Sequence, residues 1–231
     1  MLVVSNIDLT NNIRVMKPAK FLASTVNEPT LNISTDYRYM KTGYYVSLHA
    51  ELLGNDVIPS CEDIIDANRT PILLLRAIRA KIPTMPFVVT DSVKKIIAEL
   101  DFPLVIYPVN PFIHKGYKTA HNKTALYRAV KSLGMNYKFV VCAQPLKGEM
   151  VSVKSFFGKC KEPDETVKEV AQKVFSMFKI PICILHIQKA DEKSYLSGLQ
   201  PIEDEQLSAS DLGIISNEAS SLVRQGETIS G

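Results

Sequence analysis

"NRTPILLLRAIRAKIPTMPFVVTDSVKKIIAELDFPLVIYPVN", residues 68–110, decides the fold. The apolar pattern changes period three times within it. "TPILLLRAIRAK" (70–81) repeats at helical spacing, and Pro71 is tolerated in a first helical turn. "PTMPFVVT" leaves a proline-rich turn as a strand, Asp91 or Ser92 caps the helix "VKKIIAEL", and "FPLVIYP" is an apolar run of strand length. Helix–strand–helix–strand alternation is the signature of a layered α/β arrangement.

The alternation continues on both sides. Upstream, "MLVVSN" and "TLNIST" (30–35) read as strands. In "DYRYMKTGYYVSLHAELLGND", Tyr44, Tyr45, Leu48, Leu52 and Leu53 fall at helical spacing, and Gly54 stops the run. After the short strand "VIPS" (57–60), Ser60 is placed to cap "CEDIIDAN" with Asp63 three residues on. Downstream, "NKTALYRAVKSLG" and "PDETVKEVAQKVFSMFK" are helices. "KFVVCAQPL" and "EMVSVKSFFG" are strands around a turn at Lys147-Gly148. "PICILHIQ" and "KSYLSGLQPI" form a hairpin with its turn near Asp191-Glu192, and "SDLGIISNEASSLV" is a last helix. This order needs more than one sheet, so the fold class is α/β with α+β elements. The chain carries no internal repeat and no low-complexity linker.

The 231 residues are 46% apolar and 22% charged, a globular composition. No apolar run is long enough to span a bilayer, and "MLVVSNIDLTNNIRV" lacks the basic start of a signal peptide. Cys61, Cys142, Cys160 and Cys183 are widely spaced and form no C-x-x-C pair, which points to free thiols in a cytoplasmic protein. The net charge of +3 is unevenly spread. Residues 107–161 hold ten Lys or Arg against Glu149 alone, whereas residues 191–231 hold eight acids and two bases. The basic segment favours an anionic ligand, either a small molecule or nucleic acid. The plain alternative is a solvated lysine surface balanced by the acidic tail.

Order and punctuation together resemble the ATP-grasp superfamily, in particular RimK-like amide ligases with their preceding N-terminal domain. The resemblance rests on the rhythm of residues 68–110, with its "IPT-P" turn and "FP-V" strand entry. It rests also on "VVCAQPLKGEMVSVKSFFGK", on the closing hairpin "ICILHIQKADEKSYLSGLQPI", and on "STDYRYMKTGYYVSLHAELLGNDVIPS" as the N-terminal motif. It implies a Rossmann-like pre-ATP-grasp domain over residues 1–66 and an ATP-grasp-like pair of α+β subdomains over 67–231. The central subdomain would lie at about 84–146 and the closing hairpin subdomain at about 147–223.

A working site of this family neutralises ATP phosphates with two lysines, closes a glycine loop over them, and holds Mg²⁺ on acidic oxygens. Carried over position by position, the pattern is broken. Thr70 stands for the first lysine and Tyr107 for the strand-end lysine. "NPFIHKGYKTA" replaces the glycine loop, with Lys115, Gly116 and Lys118 as what remains of it. Gln144 stands for the acid at the adenine side, and His186, Gly198 and Gln200 stand for the metal ligands. The expectation is a nucleotide-site remnant with no metal ligands and no catalytic residues.

Tyr37, Arg38, Tyr39, Gly43, Tyr44 and Tyr45 crowd a strand end and the following helix start. That position suits an anionic small molecule or a partner's carboxylate; the plain alternative is packing of the rings. Three functions follow. The first is an ATP-grasp-fold protein that has lost ligase chemistry and acts as a binding or accessory subunit. It would work beside a separate catalytic ligase or pathway enzyme in amino-acid, peptide or coenzyme metabolism. The second is a divergent ATP-dependent carboxylate–amine ligase using ATP and Mg²⁺ through an acyl phosphate. The third is a nucleic-acid-binding module using the basic 107–161 segment, with Tyr107, Phe112, Tyr117, Tyr127, Tyr137 and Phe139 as stacking platforms.

Overall fold

A computed structural model describes residues 1–10, 13–109 and 116–229. The N-terminal sheet contains β1 (Leu2–Ser5), β2 (Val15–Met16), β3 (Thr30–Ile33) and β4 (Val57–Ile58), all parallel, in the order β2-β1-β3-β4. Leu2, Val4, Leu31 and Ile33 are buried, as expected of parallel strands covered on both faces. Between β2 and β3, α1 (Pro18–Leu22) packs Phe21 against Leu2 and Val4. Val46 and Ala50 of α2 (Thr42–Leu52) join the same core. Gly54, at φ +77°, ends α2 in the left-handed conformation that needs no Cβ. Ser60 caps α3 (Cys61–Ala67) by accepting from the Asp63 N–H, and α4 (Thr70–Arg79) follows directly.

The second sheet holds β5 (Val88–Thr90), β6 (Leu104–Pro108), β7 (Lys118–Ala120) and β8 (Val141–Pro145), antiparallel in the order β5-β8-β6-β7. One face packs under α5 (Val93–Glu99) and α6 (Lys123–Leu133) through Leu104, Ile106, Leu126 and Val130. The other face presents Val105, Tyr107 and Cys142 to Leu74 of α4. The third sheet is antiparallel, β11-β10-β9, from β9 (Glu149–Phe156), β10 (Ile182–Ala190) and β11 (Lys193–Gln200). Before β10, α7 (Glu165–Phe178) buries Val167, Val170, Val174 and Phe178 against Ile64, Leu73 and the hairpin. The last helix, α8 (Ala209–Ile229), returns to the first sheet. Its Ile215 and Ala219 share a core with Val3, Leu31, Ile33 and Phe156. Asp211, buried at its start, ties it to β9 through Lys154 (3.1 Å) and to Lys161 (2.6 Å).

The elements expected from periodicity form, with four differences. β2, α1 and β7 have two, five and three residues, too short to show a period, and went unexpected. β8 opens at Val141 rather than Lys138, because 135–140 is an exposed loop. Ser92, not Asp91, caps α5. The last helix continues past Val223 to Ile229.

Candidate functional site

The decisive local feature is a bulge between β10 and β11. His186 pairs with Gly198, but the next pair is Ile187 with Leu196, so Ser197 is the extra residue. Its carbonyl leaves the ladder and accepts from Gln144 Nε2 at 2.8 Å. Its hydroxyl accepts from the Tyr107 hydroxyl (3.0 Å) and from Gln188 Nε2 (3.3 Å), and donates to Gln144 Oε1 (3.1 Å). One donor and two lone pairs are the full capacity of a serine hydroxyl. Gln188 Oε1 in turn accepts from the Lys147 N–H at 2.9 Å. The side chains of Tyr107, Gln144, Gln188 and Ser197 are buried, so the bonds among them are made out of water, where an unmade one would cost about 1–3 kcal/mol.

Three rings close over this network. Tyr107 and Tyr117 lie 5.5 Å apart, and His186 stands 5.0 Å from Tyr117 with its plane nearly perpendicular. His186 Nδ1 meets the Ser152 hydroxyl at 3.1 Å. Its Nε2 is buried with no hydrogen-bond partner among the described residues. Burial pushes its pKa down to about 4, against an opposing pull from Gln200, so the ring is neutral. Burial also holds the Tyr107 phenol well above its ordinary value. Gly198 is required by this packing. A Cβ there would stand 2.5 Å from Tyr107 Cε1 and 2.9 Å from Cζ.

Tyr107, Gln144, His186 and Gly198, four positions that the resemblance gave to phosphate, adenine and metal contacts, therefore meet at one place. Gln200 lies beside them, its Oε1 3.5 Å from where a Cβ on Gly116 would project. Thr70 is buried at the start of α4, on the same helical face as Leu74, which packs on Tyr107. Lys118 is exposed on β7 and donates to Ser132 Oγ at 2.7 Å. Lys115 and Phe112 lie outside the described residues. The donor set is neutral: phenol, amide, hydroxyl and uncharged imidazole. It contains no carboxylate, and hard-oxygen Mg²⁺ chemistry does not fit it. Among the described residues no group of three His, Cys, Asp or Glu side chains could hold a metal ion.

The N-terminal motif forms the expected turn between β3 and α2. Asp36 Oδ1 accepts from the Arg38 N–H (3.0 Å) and Nε (2.9 Å), and Oδ2 meets Nη2 at 2.6 Å. Burial alone would raise the Asp36 carboxyl, but the bonds and charge of Arg38 outweigh it and hold the pKa below the ordinary value. Tyr37 is a core residue. Its hydroxyl donates to the Asn32 carbonyl (2.9 Å) and accepts from the Ser34 N–H (2.8 Å). Gly43 lets α2 start against this turn, since a Cβ there would fall 2.6 Å from the Asp36 carbonyl. Tyr39, Tyr44 and Tyr45 form a chain of edge contacts at 5.2 and 5.8 Å, with Tyr39 and Tyr45 exposed. The aspartate beside the arginine thus neutralises the charge that sequence reading offered to a ligand. Burial pushes the Cys61, Cys142 and Cys183 thiols up to about 12, which leaves them unreactive.

A family model, the RimK-like ATP-grasp N-terminal domain, matches residues 19–218. The chain belongs to this family. The match runs through the division expected after residue 66. No curated protein matches the sequence. Solved structures of the same fold include the ATP-grasp ligase PsnB complexed with precursor peptide PsnA2 and AMPPNP. It is 14% identical, with 98% of each chain covered and a TM-score of 0.65. A RimK domain ATP-grasp protein from Sphaerobacter thermophilus DSM 20745 is 13% identical over 94% of this chain and 98% of that one, with a TM-score of 0.62. D-alanine–D-alanine ligase from Bacillus anthracis, complexed with ATP, is 16% identical over 93% and 86%, also at 0.62. At these identities the likeness is one of fold, and the fold is ATP-grasp.

For this RimK-like N-terminal domain, the residues that sequence reading missed are Ser197, Gln188, Ser152 and, as part of the cluster, Tyr117. A signal existed for the first. Adjacent Ser and Gly inside a strand mark a bulge or a close backbone approach.

Proposed function

We propose that this chain is an ATP-grasp-fold protein without ligase chemistry. In this reading it serves in the cytoplasm as a binding or accessory subunit beside a separate catalytic ligase or pathway enzyme, in amino-acid, peptide or coenzyme metabolism. The observation that carries the reading is the plug of Tyr107, Tyr117, His186, Gln144 and Ser197. Tyr107, Gln144 and His186 stand where the resemblance gave phosphate, adenine and metal contacts, and with Tyr117 and Ser197 they bond to and pack on one another instead. Gly198 adds to this, because the loss of a side chain there makes room for the ring of Tyr107. A site in decay would leave voids and unmatched polar groups. This one is packed, and only the His186 Nε2 is left over among its described side chains. A polypeptide is the partner class to try first, since a ligase of the same fold has been solved with a precursor peptide.

The test is calorimetric titration with Mg·ATP. The expected result is no affinity tighter than about millimolar, a scale worth only about 4 kcal/mol. A micromolar constant that disappears without Mg²⁺ would overturn the proposal and favour a divergent carboxylate–amine ligase.

A further inference from the structure

The outer side of the second sheet carries an unusual surface. Residues 102–148 contain no Asp or Glu. On α6, Lys123, Tyr127 and Lys131 recur every four residues and so share one face. The loop that follows folds back on the end of that helix, where the Asn136 N–H donates to the Lys131 carbonyl (2.7 Å) and the Phe139 N–H to the Gly134 carbonyl (3.0 Å). It exposes six consecutive residues, 135–140. Tyr127, Tyr137 and Phe139 are 39%, 40% and 42% exposed, so a substantial part of each ring meets water. Neither Lys123, Lys131 nor Lys138 makes an ion pair among the described residues.

The backbone adds an independent observation. Met135, Asn136 and Tyr137 all lie at positive φ, at 49°, 58° and 62°. Of the three, only asparagine tolerates that region well. A loop needed merely to join α6 to β8 would be made more easily with glycine. Strain retained together with exposed aromatics is characteristic of a recognition surface.

From these features we infer that α6 and the 135–140 loop bind single-stranded nucleic acid, with Tyr127, Tyr137 and Phe139 stacking on bases and Lys123, Lys131 and Lys138 meeting phosphates. This goes beyond the accessory-subunit reading and does not depend on it. Of the residues first considered as stacking platforms, Tyr107 is excluded because its ring is in the core, and Tyr117 because it packs in the plug. Rings with a cation on either side match the repeat of base and phosphate. The helix and loop contribute no carboxylate of their own to compete with phosphate for these lysines; the nearest acids lie on and around the neighbouring α5, at Asp91, Glu99 and Asp101.

The experiment is fluorescence anisotropy of labelled single-stranded RNA and DNA with the full chain at two salt concentrations. Three neutralised phosphates give a log–log salt slope near −2, or about 20-fold weaker binding between about 50 and 200 mM. Lys131→Glu with Lys138→Glu should remove most binding and flatten the slope. Tyr137→Ala should weaken binding about fivefold or more at fixed salt while leaving the slope unchanged. If a loop variant fails to fold by circular dichroism, Tyr127→Ala on the helix serves in its place. No binding at low salt overturns the inference, as does binding that ignores the aromatic substitutions. Equal competition by polyglutamate would assign the face to an acidic polypeptide instead. A dimer in sedimentation that the lysine variant dissociates would assign it to a second copy of the chain.

Discussion

Replacing Gly198 with alanine adds one methyl group, and the structure sets both the sign and the size of its effect. In an unobstructed strand Gly→Ala stabilises by about 0.5–1 kcal/mol, because glycine loses the most entropy on folding. Here the new Cβ would lie 2.5, 2.9 and 3.2 Å from Cε1, Cζ and Cδ1 of Tyr107. The ring cannot swing aside cheaply, since it is only 2% exposed and its hydroxyl is held by Ser197 at 3.0 Å. Overpacking a filled core costs about 1–3 kcal/mol, and losing the hydroxyl bond adds about 1 kcal/mol. Gly198→Ala should therefore destabilise by about 2–4 kcal/mol, measured as a lower urea midpoint at constant m-value. Tyr107→Ala alone should cost about 3–5 kcal/mol through the cavity left behind. The double variant should cost clearly less than the sum, with a coupling of about 1–3 kcal/mol, because the alanine then projects into vacated space. A neutral or stabilising Gly198→Ala, or strictly additive variants, would refute the idea that the glycine exists to admit the ring.

Two further outcomes are expected. His186 has a folded pKa of about 4 against an ordinary 6.5, so between those values the unfolded chain binds a proton that the folded chain does not. Its stabilising contribution is complete above about pH 6.5 and falls by about 3 kcal/mol as pH drops through 4. His186→Gln should flatten that part of the stability–pH curve, and parallel curves would contradict the assignment. Arg38→Ala breaks the bidentate pair with Asp36, whose side chains are 18% and 27% exposed, and should cost about 1–2 kcal/mol in denaturant unfolding. A loss under about 0.5 kcal/mol would mean the guanidinium does not hold the turn.

The sheets and long helices were legible because their periods are long enough to read: α7 at 3.6 residues, and the apolar runs of β6 and β10 as buried strands. β7 was not, because three residues at a sheet edge carry no period and owe their strand form to β6 alongside. For the site, positional resemblance located Tyr107, Gln144, His186 and Gly198 but could not say what they do together. That depends on a one-residue bulge that turns Ser197 toward a partner 90 residues away, and register is a property of the assembled sheets. The N-terminal motif falls between β3 and α2, at the strand end and helix start read from the sequence. Its chemistry was obscured because Asp36, two residues from Arg38, also holds the guanidinium.

Ser197 belongs to the third sheet, and Tyr107 and Gln144 belong to the second. In this chain three hydrogen bonds cross from one sheet to the other at a single serine, and all are buried. Parting the sheets would exchange these three bonds for bonds to water, at a net cost of about 0.5–1.5 kcal/mol each. Ser197 thus acts as a rivet between the two sheets, and a substitution at this one residue would be felt in both at once.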